Sequence, residues 1–150
     1  MGTWRNGSGQ LTVEGPDGSG AGAVAAEPGA AESEAAGSGA AEPGAAEPVA
    51  VEIAASYGTR RRGLLGRDGI EGALLITPCN SVHTFRMRFA IDVAYLDKEL
   101  RVIDVHTLKP GRLPLPRWKA RHVLEAEAGA MERWGLRPGA RITVNVQDVS

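Results

Sequence analysis

Short segments in which apolar and polar residues alternate fill the chain after about residue 48, and they limit the possible folds more than any other feature. The alternation runs through residues 49–57, 83–95, 100–108 and 142–146. A repeat of two residues sends successive side chains to opposite faces of a strand, so that one face can enter a core. We therefore predict short strands here, with a bend near Ala90 because residues 83–95 are long for one regular strand.

Two more strands are predicted from apolar character and turn signals. Residues 73–77 form an apolar run that stops at Pro78, and residues 121–129 resume the alternation through Val123. Six or seven short strands with two short helices predict a mostly β (α+β) domain, either a compact barrel-like fold or a sandwich. The same pattern argues against a Rossmann-type sheet and against a helical bundle.

The two short helices lie between strands. In residues 58–67 we predict Thr59 as the N-cap and Gly66 as the end of the first helix. In residues 128–135 the second helix is expected to close at Gly135.

Residues 1–48 differ sharply from the rest of the chain. They consist almost entirely of Ala, Gly, Glu, Pro and Ser, with a near-repeat in the letters GAAEPGAAEP. One aromatic residue, Trp4, and a few aliphatic residues bury too little apolar area to offset the entropy lost on ordering. We therefore predict a disordered tail over residues 1–48 and a single β-rich domain over residues 49–150.

Charge divides at nearly the same boundary. Residues 1–50 carry one Arg and seven acidic residues, whereas residues 51–150 carry 16 Lys and Arg against 11 Asp and Glu. The net charges are therefore −6 and +5, which is an acidic tail on a mildly basic domain.

A further hypothesis is that translation begins near Val49 or Val51, because the upstream composition resembles GC-rich DNA read as protein. The mass of the native protein tests that hypothesis.

Several classes of protein are disfavoured by simple counts. No apolar run approaches the ~20 residues of a membrane span, and the N-terminus lacks the hydrophobic segment of a secretory signal. The single cysteine, Cys79, cannot form an internal disulfide, which fits a reducing cytoplasm. We expect a cytoplasmic protein without a membrane partner or a cofactor, and the oligomeric state stays open.

Residues 79–97 hold the densest chemistry, beginning with Cys79 and His83. As metal ligands these two lack a second close-spaced pair, although His106 and His122 exist elsewhere. As nucleophile and base they require a backbone bend and a third, orienting group. The preferred interpretation is a buried thiol that acts as a small hydrophobe beside a hydrogen-bonded histidine, with no metal site.

Arg86 and Arg88 share one face of the predicted strand, with Asp92 in phase if no bulge intervenes. Two guanidinium groups spaced in this way can hold a carboxylate or a phosphate. They are also typical of an ordinary strand face exposed to water, and Asp92, which lies between two apolar residues, is alternatively a semi-buried structural residue. In a regular strand His83 lies in register with Phe85 and therefore faces away from both arginines.

Two basic segments raise the possibility of nucleic-acid binding. Arginines 60–62 with Arg67, and residues 117–121 with Trp118 between cations, could form one basic surface. The net charge of +5 is well below that of typical nucleic-acid-binding domains, and no RNA or DNA motif is present. A solvated surface is the preferred interpretation.

Three ordered blocks resemble a known family, the domain of unknown function 192. They span residues 61–76, 81–97 and 122–142, and the similarity covers about residues 50–147. The matching motifs are Arg61 to Arg67, Phe85–Met87 followed by Ile91–Asp92, and Leu124–Glu125 with Gly129. The resemblance implies a small mostly β domain of bacteria and archaea without an established activity. Members of the family often have proline where this chain has Ala90.

The leading functional prediction is a non-enzymatic binding module for an anionic small molecule or an acidic partner. Its predicted ligand-binding residues are His83, Thr84, Arg86, Arg88, Asp92 and Arg121. One alternative is a hydrolase or transferase that uses Cys79 and His83. Another is a scaffold or nucleic-acid accessory protein that uses residues 117–121.

Overall fold

The described part of the chain folds around one curved sheet. A computed structural model describes residues 4–16 and 47–147, and within them the chain forms seven strands and two short helices. In chain order these are β1 (Gly7–Glu14), β2 (Val49–Ala54), α1 (Tyr57–Arg62), β3 (Ala73–Ile76), β4 (Ile91–Leu96), β5 (Val102–Leu108), β6 (His122–Glu127), α2 (Ala130–Trp134) and β7 (Arg141–Val146). The mostly β prediction with short strands and two short helices is confirmed.

The sheet is mixed and curls into a half-barrel. Its strand order is β5-β4-β6-β3-β2-β1-β7, in which β2 and β3 are parallel and every other neighbouring pair is antiparallel. The two edge strands approach each other where they begin. There the Val102 N–H donates to the Ala140 carbonyl at 2.7 Å, and the Ile142 N–H donates to the Leu100 carbonyl at 3.0 Å. Curling lets all seven strands contribute to one interior.

Strand β1 lies within the segment predicted to be a disordered tail. It pairs with β2 on one side and with β7 on the other, and its Leu11 and Val13 are buried. The prediction is therefore wrong for residues 7–14, while residues 17–46 lie outside the described residues. The two apolar side chains could not form a core alone, but the neighbouring strands supply the rest of it. Gly9 permits the close pairing with β7, since a Cβ there would collide with the Asn145 carbonyl.

The predicted long strand over residues 83–95 is wrong in its first half. Only Ile91–Leu96 is a strand, and residues 79–90 form an irregular segment. Arg86 has a φ of 65°, which no regular strand contains. Phe85 remains 45% exposed although the alternation placed it in the core. The strand begins directly after Ala90, where the sequence predicted a bend.

The sheet carries an apolar cluster on each face. The inner core fills the half-barrel and is closed at one end by α2; it includes Leu11, Val13, Leu75, Leu124, Met131 and Ile142. The outer core lies on the opposite face of β3, β4 and β6 and includes Leu64, Ile76, Val82, Met87, Val93 and Tyr95. It is covered by the irregular segment and by the residues that follow α1. Because both faces of β4 are covered, all six of its residues are buried.

The N-cap of helix α1 lies three residues before the predicted N-cap, Thr59. Ser56 is the N-cap, and Thr59 completes a capping box with it from the third helical position. The Asn6 side-chain oxygen also accepts from the Ala55 and Ser56 N–H groups at 2.7 and 3.0 Å. The helix ends at Gly63 rather than at the predicted Gly66. The Asn6 contacts could not be predicted from the sequence, because Asn6 is remote in the chain.

Helix α2 ends as predicted. Gly135 has a φ of 79° and donates its N–H to the Glu132 carbonyl at 3.1 Å. Among the described residues, no helix is long and apolar enough to cross a membrane.

Candidate functional site

A cavity of about 80 Å³ opens between α1 and the outer face of the sheet. Its walls come from α1, from the residues after it, from the irregular segment and from β3 and β6. The lining residues are Arg60, Arg61, Arg62, Gly63, Leu64, Leu65, Ile76, Cys79, Ser81, Val82, His83, Met87 and Glu125. We refer to this cavity as the α1 pocket.

Glu125 is the most unusual residue of the α1 pocket. It lies in the middle of β6, faces the outer core between Leu74 and Val93 of the neighbouring strands, and is only 5% exposed. No side-chain hydrogen bond to its carboxyl group occurs among the described residues. Burial raises its pKa to about 7, although the nearby Arg67 guanidinium favours the charged form. A buried carboxyl group without a partner costs stability and is a frequent mark of a functional site.

Arg67 does not neutralise Glu125 by direct contact. Its guanidinium group instead donates to both carboxylate oxygens of Glu52, at 3.0 and 3.1 Å. That hydrogen-bonded pair lowers the pKa of Glu52 and raises the pKa of Arg67. The strongest available partner of Glu125 is therefore engaged elsewhere.

Cys79 and His83, the predicted catalytic pair, both line the α1 pocket. The Cys79 thiol is half-buried and donates to the Ser81 carbonyl at 3.0 Å. Burial raises its pKa, so the thiol rather than the thiolate is favoured at neutral pH. His83 is exposed and stacks on Phe85 with ring centroids 5.4 Å apart. The described residues show no hydrogen bond between the thiol and this imidazole.

Three consecutive arginines of α1 line the pocket beside Glu125. Arg60 is held by its Nη1 donating to the Pro78 carbonyl at 3.1 Å. Arg61 and Arg62 are exposed, and neither forms an ion pair within the described part of the chain. The short helix therefore presents a cationic rim to a pocket whose interior is partly apolar.

Thr84, Arg86 and Arg88 do not form the arginine face that the sequence predicted. Thr84 is fully buried; its hydroxyl group donates to the Lys109 carbonyl and accepts from the Arg112 N–H, both at 2.7 Å. Arg88 forms an exposed ion pair with Asp68 at 3.0 Å. The shared-face geometry is wrong because this segment is not a strand. Anion binding by Arg86 and Arg88 itself stays a prediction.

Asp92 and Arg121 lie away from the α1 pocket. Asp92 faces the inner core and accepts three hydrogen bonds, from the Thr107 hydroxyl at 2.6 Å and from the N–H groups of Gly129 and Met131 at 2.9 and 3.0 Å. It thereby caps the beginning of α2 across the sheet. The Arg121 backbone joins Cys79 to Leu96, while its side chain is exposed. Of the predicted site residues, only Cys79 and His83 share the pocket.

The sequence reasoning missed Glu125, although one signal could have revealed it. Glu125 shares its phase with Val123, whose side chain is apolar, but also with Glu127, whereas Leu124 and Ala126 occupy the opposite phase. Only Val123 hinted that this phase of the strand enters a core, where an unpaired acidic residue would be costly. The arginines of α1 were recognised as basic, but their position at a pocket depends on tertiary packing.

A second polar cluster lies on β5, outside the pocket. His106 Nε2 is 2.9 Å from Asp104 Oδ2, and Arg117 reaches the same oxygen at 3.3 Å. Burial opposes ionisation of Asp104, but the hydrogen bonds from His106 and Arg117 outweigh it and lower its pKa. The Arg117 guanidinium also lies 4.8 Å from the centroid of the Tyr95 ring. These contacts fix Arg117 to the sheet.

The part of the chain that the structure describes contains no group of three or more metal-ligating side chains suited to an ion. The wider depressions beside α2 and beside β1 have volumes of about 680 and 310 Å³. Neither is lined by a buried ionisable side chain. The α1 pocket is therefore the candidate site.

The structure is that of a small, mostly β half-barrel domain with a pocket on its outer face. Residues 40–144 match the sequence profile of the DUF192 family, described as Uncharacterized ACR, COG1430. The chain belongs to this uncharacterised family, as its sequence blocks suggested.

Relatives of known sequence agree with this assignment. A UPF0127 protein of Pyrococcus horikoshii is 38% identical over 87 residues, which cover 55% of this chain and 76% of the relative. A UPF0127 protein of Pyrococcus abyssi is 36% identical over 97 residues, or 61% of this chain and 83% of the relative.

Two solved structures share the fold at low sequence identity. One, from Sinorhizobium meliloti and proposed to regulate transcription, has a TM-score of 0.67 and 15% identity over 95% of this chain and 98% of its own. A Novosphingobium aromaticivorans protein of unknown function has a TM-score of 0.60 and 17% identity over 89% and 83%. These similarities support the fold alone.

Proposed function

We propose that this protein is a binding module for a small anionic molecule, held in the α1 pocket. The observation that carries the proposal is that three arginines of α1 line the same pocket as the mostly buried carboxyl group of Glu125, which has no side-chain hydrogen bond among the described residues. Arginine side chains are suited to bidentate contacts with carboxylate or phosphate groups. The site differs from the arginine pair that the sequence suggested, but the class of ligand is the same.

Glu125 is compatible with an anionic ligand because its pKa is about 7. In its neutral form the carboxyl group donates a hydrogen bond through its O–H, and it adds no repulsion. An anion bound beside it stabilises the protonated form further. Affinity is therefore highest below pH 7 and declines above it, by up to about tenfold per pH unit.

The size of the pocket limits the ligand group that it can enclose. Its volume of about 80 Å³ exceeds several-fold the roughly 10–15 Å³ that one water molecule requires. A carboxylate, sulfate or phosphate group fits, whereas the remainder of a larger molecule would extend past the arginine rim.

The test is thermal stabilisation and calorimetric binding with sulfate and with acetate, because neither probe changes its own charge near neutral pH. The wild type should be stabilised by these anions below pH 7, and Glu125→Gln should bind with little dependence on pH. The double variant Arg61→Ala, Arg62→Ala should lose the stabilisation. A matched control, Lys98→Ala with Arg137→Ala, removes two exposed cations elsewhere and should retain it.

Two outcomes would contradict the proposal. Equal stabilisation of the wild type and the Arg61, Arg62 variant would show that the anions act elsewhere. If only the Arg86→Ala, Arg88→Ala variant lost the stabilisation, the anion site would be the arginine pair that the sequence suggested.

A second candidate function is cysteine-dependent chemistry, favoured by the shared position of Cys79 and His83 in the pocket. The raised pKa of Cys79 and the absence of a hydrogen bond to His83 among the described residues count against it. We expect Cys79 to react with iodoacetamide at neutral pH more slowly than a free cysteine in solution. Rapid alkylation that His83→Ala slows would favour an enzyme instead.

A further inference from the structure

The loop between β5 and β6 exposes an unusual amount of apolar surface. Leu113, Leu115 and Trp118 are 65%, 78% and 88% exposed, respectively. Trp118 is the most exposed large hydrophobic residue in the described part of the chain. Single exposed apolar residues are ordinary, but three within six positions of one loop indicate an interaction surface. We call residues 109–119 the Trp118 loop.

The Trp118 loop is anchored on either side of Leu113 and Leu115, and the second anchor directly precedes Trp118. At one end the Thr84 N–H donates to the Arg112 carbonyl at 2.9 Å, and the Gly111 N–H donates to the Thr84 carbonyl at 2.7 Å. At the other end the Arg117 N–H donates to the Asn80 carbonyl at 2.9 Å. Pro114 and Pro116 restrict the backbone between these anchors. The tip loses little conformational entropy on binding, because its ends are already fixed.

Every charged residue of the Trp118 loop is a cation. The sequence has no acidic residue between Asp104 and Glu125, a stretch that contains five Lys and Arg residues. Arg117 is occupied by Asp104. Lys109, Arg112 and Lys119 are exposed and form no ion pair among the described residues. The surface is therefore both apolar and cationic.

This combination matches an anionic lipid surface better than it matches a nucleic acid. Basic side chains are attracted to acidic headgroups, and Trp is favoured at the membrane–water interface. Leucines reach into the acyl region, whereas nucleic-acid surfaces use aromatic rings and arginine planes to stack on bases. Two of the three apolar residues here are leucines, which cannot stack.

We propose that the Trp118 loop binds the surface of membranes rich in anionic lipid, with Leu113, Leu115 and Trp118 inserted at the interface and the neighbouring cations on the headgroups. This differs from the expectation that the protein has no membrane partner, which rested on the lack of a spanning segment. Peripheral binding needs no such segment. Phe85 and Arg86, which directly follow the Thr84 anchor, are also exposed.

The test is cosedimentation of the full chain with vesicles of phosphatidylcholine, with or without phosphatidylglycerol, at low and at physiological salt. The wild type should bind the anionic vesicles, bind less as salt rises, and show a blue shift of tryptophan emission. Leu113→Ser with Leu115→Ser should weaken binding roughly tenfold or more. Lys109→Ala with Lys119→Ala should weaken it to a similar degree at low salt. Trp118→Phe should remove the blue shift, because Trp4 and Trp134 are partly buried.

Control variants distinguish insertion of the loop from nonspecific adsorption of the protein to vesicles. Val146→Ser removes an exposed apolar residue on β7, and Lys98→Ala with Arg137→Ala removes two exposed cations away from the loop. Both should bind like the wild type. Absence of binding at low salt, or binding that the loop variants leave unchanged, would overturn the proposal. Loop-dependent binding of single-stranded RNA or DNA without vesicle binding would overturn it in favour of a nucleic-acid partner.

Discussion

Asp92 and Glu125 are buried carboxyl groups on neighbouring strands, yet they face opposite sides of the sheet and have opposite surroundings. Asp92, on the inner face, accepts three hydrogen bonds and caps α2. Glu125, on the outer face, has no side-chain hydrogen bond among the described residues and lines a pocket. Burial with full hydrogen bonding stabilises a fold, whereas burial without it costs free energy. The comparison assigns a structural role to Asp92 and supports the proposal that Glu125 acts in ligand binding.

The two faces of the sheet differ in the same way as their carboxyl groups. The inner core is enclosed by strands from the whole half-barrel and by α2. The outer core is covered by the residues that follow α1 and by the irregular segment, and the pocket opens beside them. Irregular segments are where binding sites concentrate, because a regular scaffold beneath them supplies the stability. Changes to the inner face should therefore affect folding, and changes to the outer face should affect ligand binding.

Loss of β1 should have the largest effect, because it opens the inner face. A chain that begins at Val49 lacks Leu11 and Val13 and leaves β2 and β7 without their shared neighbour. We expect it not to unfold cooperatively in urea, as measured by circular dichroism. This outcome would also count against translation starting near Val49.

Point variants on β1 test the same interpretation with less disruption. Leu11→Ala should cost about 2–5 kcal/mol of unfolding free energy, as buried leucines typically do. Thr12→Ala, on the opposite face of the same strand, should cost much less. Cooperative and undiminished unfolding of the shortened chain would mean that the inner core does not need β1.

Asp92→Ala should have the next largest effect on stability. It leaves the N–H groups of Gly129 and Met131 and the Thr107 hydroxyl without an acceptor, at a total cost of about 3 kcal/mol or more. Urea unfolding measures this loss. Asp92→Asn keeps one acceptor oxygen and should be milder, and Thr107→Val should be milder still. A change below about 1 kcal/mol for Asp92→Ala would contradict the structural role.

Glu125→Gln should leave stability similar or raise it, and should change its pH dependence. The folded-state pKa of about 7 lies above the ordinary value of 4.5, so the folded state holds its proton longer than the unfolded state. The stability of the wild type should therefore fall, relative to Glu125→Gln, as pH rises from about 4.5 to about 7. At roughly 1.4 kcal/mol per unit of pKa shift, the difference is on the order of 3 kcal/mol.

The pH profile of Glu125→Gln must be subtracted from that of the wild type, because His122 changes the stability with pH in the opposite direction. Burial lowers the pKa of His122, so its contribution is lost as pH falls. Denaturant midpoints of both proteins at several pH values provide the measurement. Parallel pH profiles for the wild type and Glu125→Gln would mean that Glu125 is not a buried titrating group.

Particular residues show how far sequence reasoning reached. The alternation located β2, β5, β6 and β7, and the Gly135 signal located the end of α2. The alternation misled at Phe85, because Met87 and Val82 contact the core from an irregular segment rather than from a strand. Of the candidate site, Cys79 and His83 were identified from their chemistry, whereas Glu125 was not.

The sequence by itself determined the class of fold and the family, because strand periodicity and turn residues are local properties. Tertiary structure alone decided that residues 7–14 join the sheet, that Asp92 caps a helix and that Arg61 and Arg62 line the same pocket as Glu125. Those outcomes depend on pairings between residues that are distant in the chain. A carboxyl group becomes structural or functional according to the donors that folding brings to it, and no local pattern records those donors.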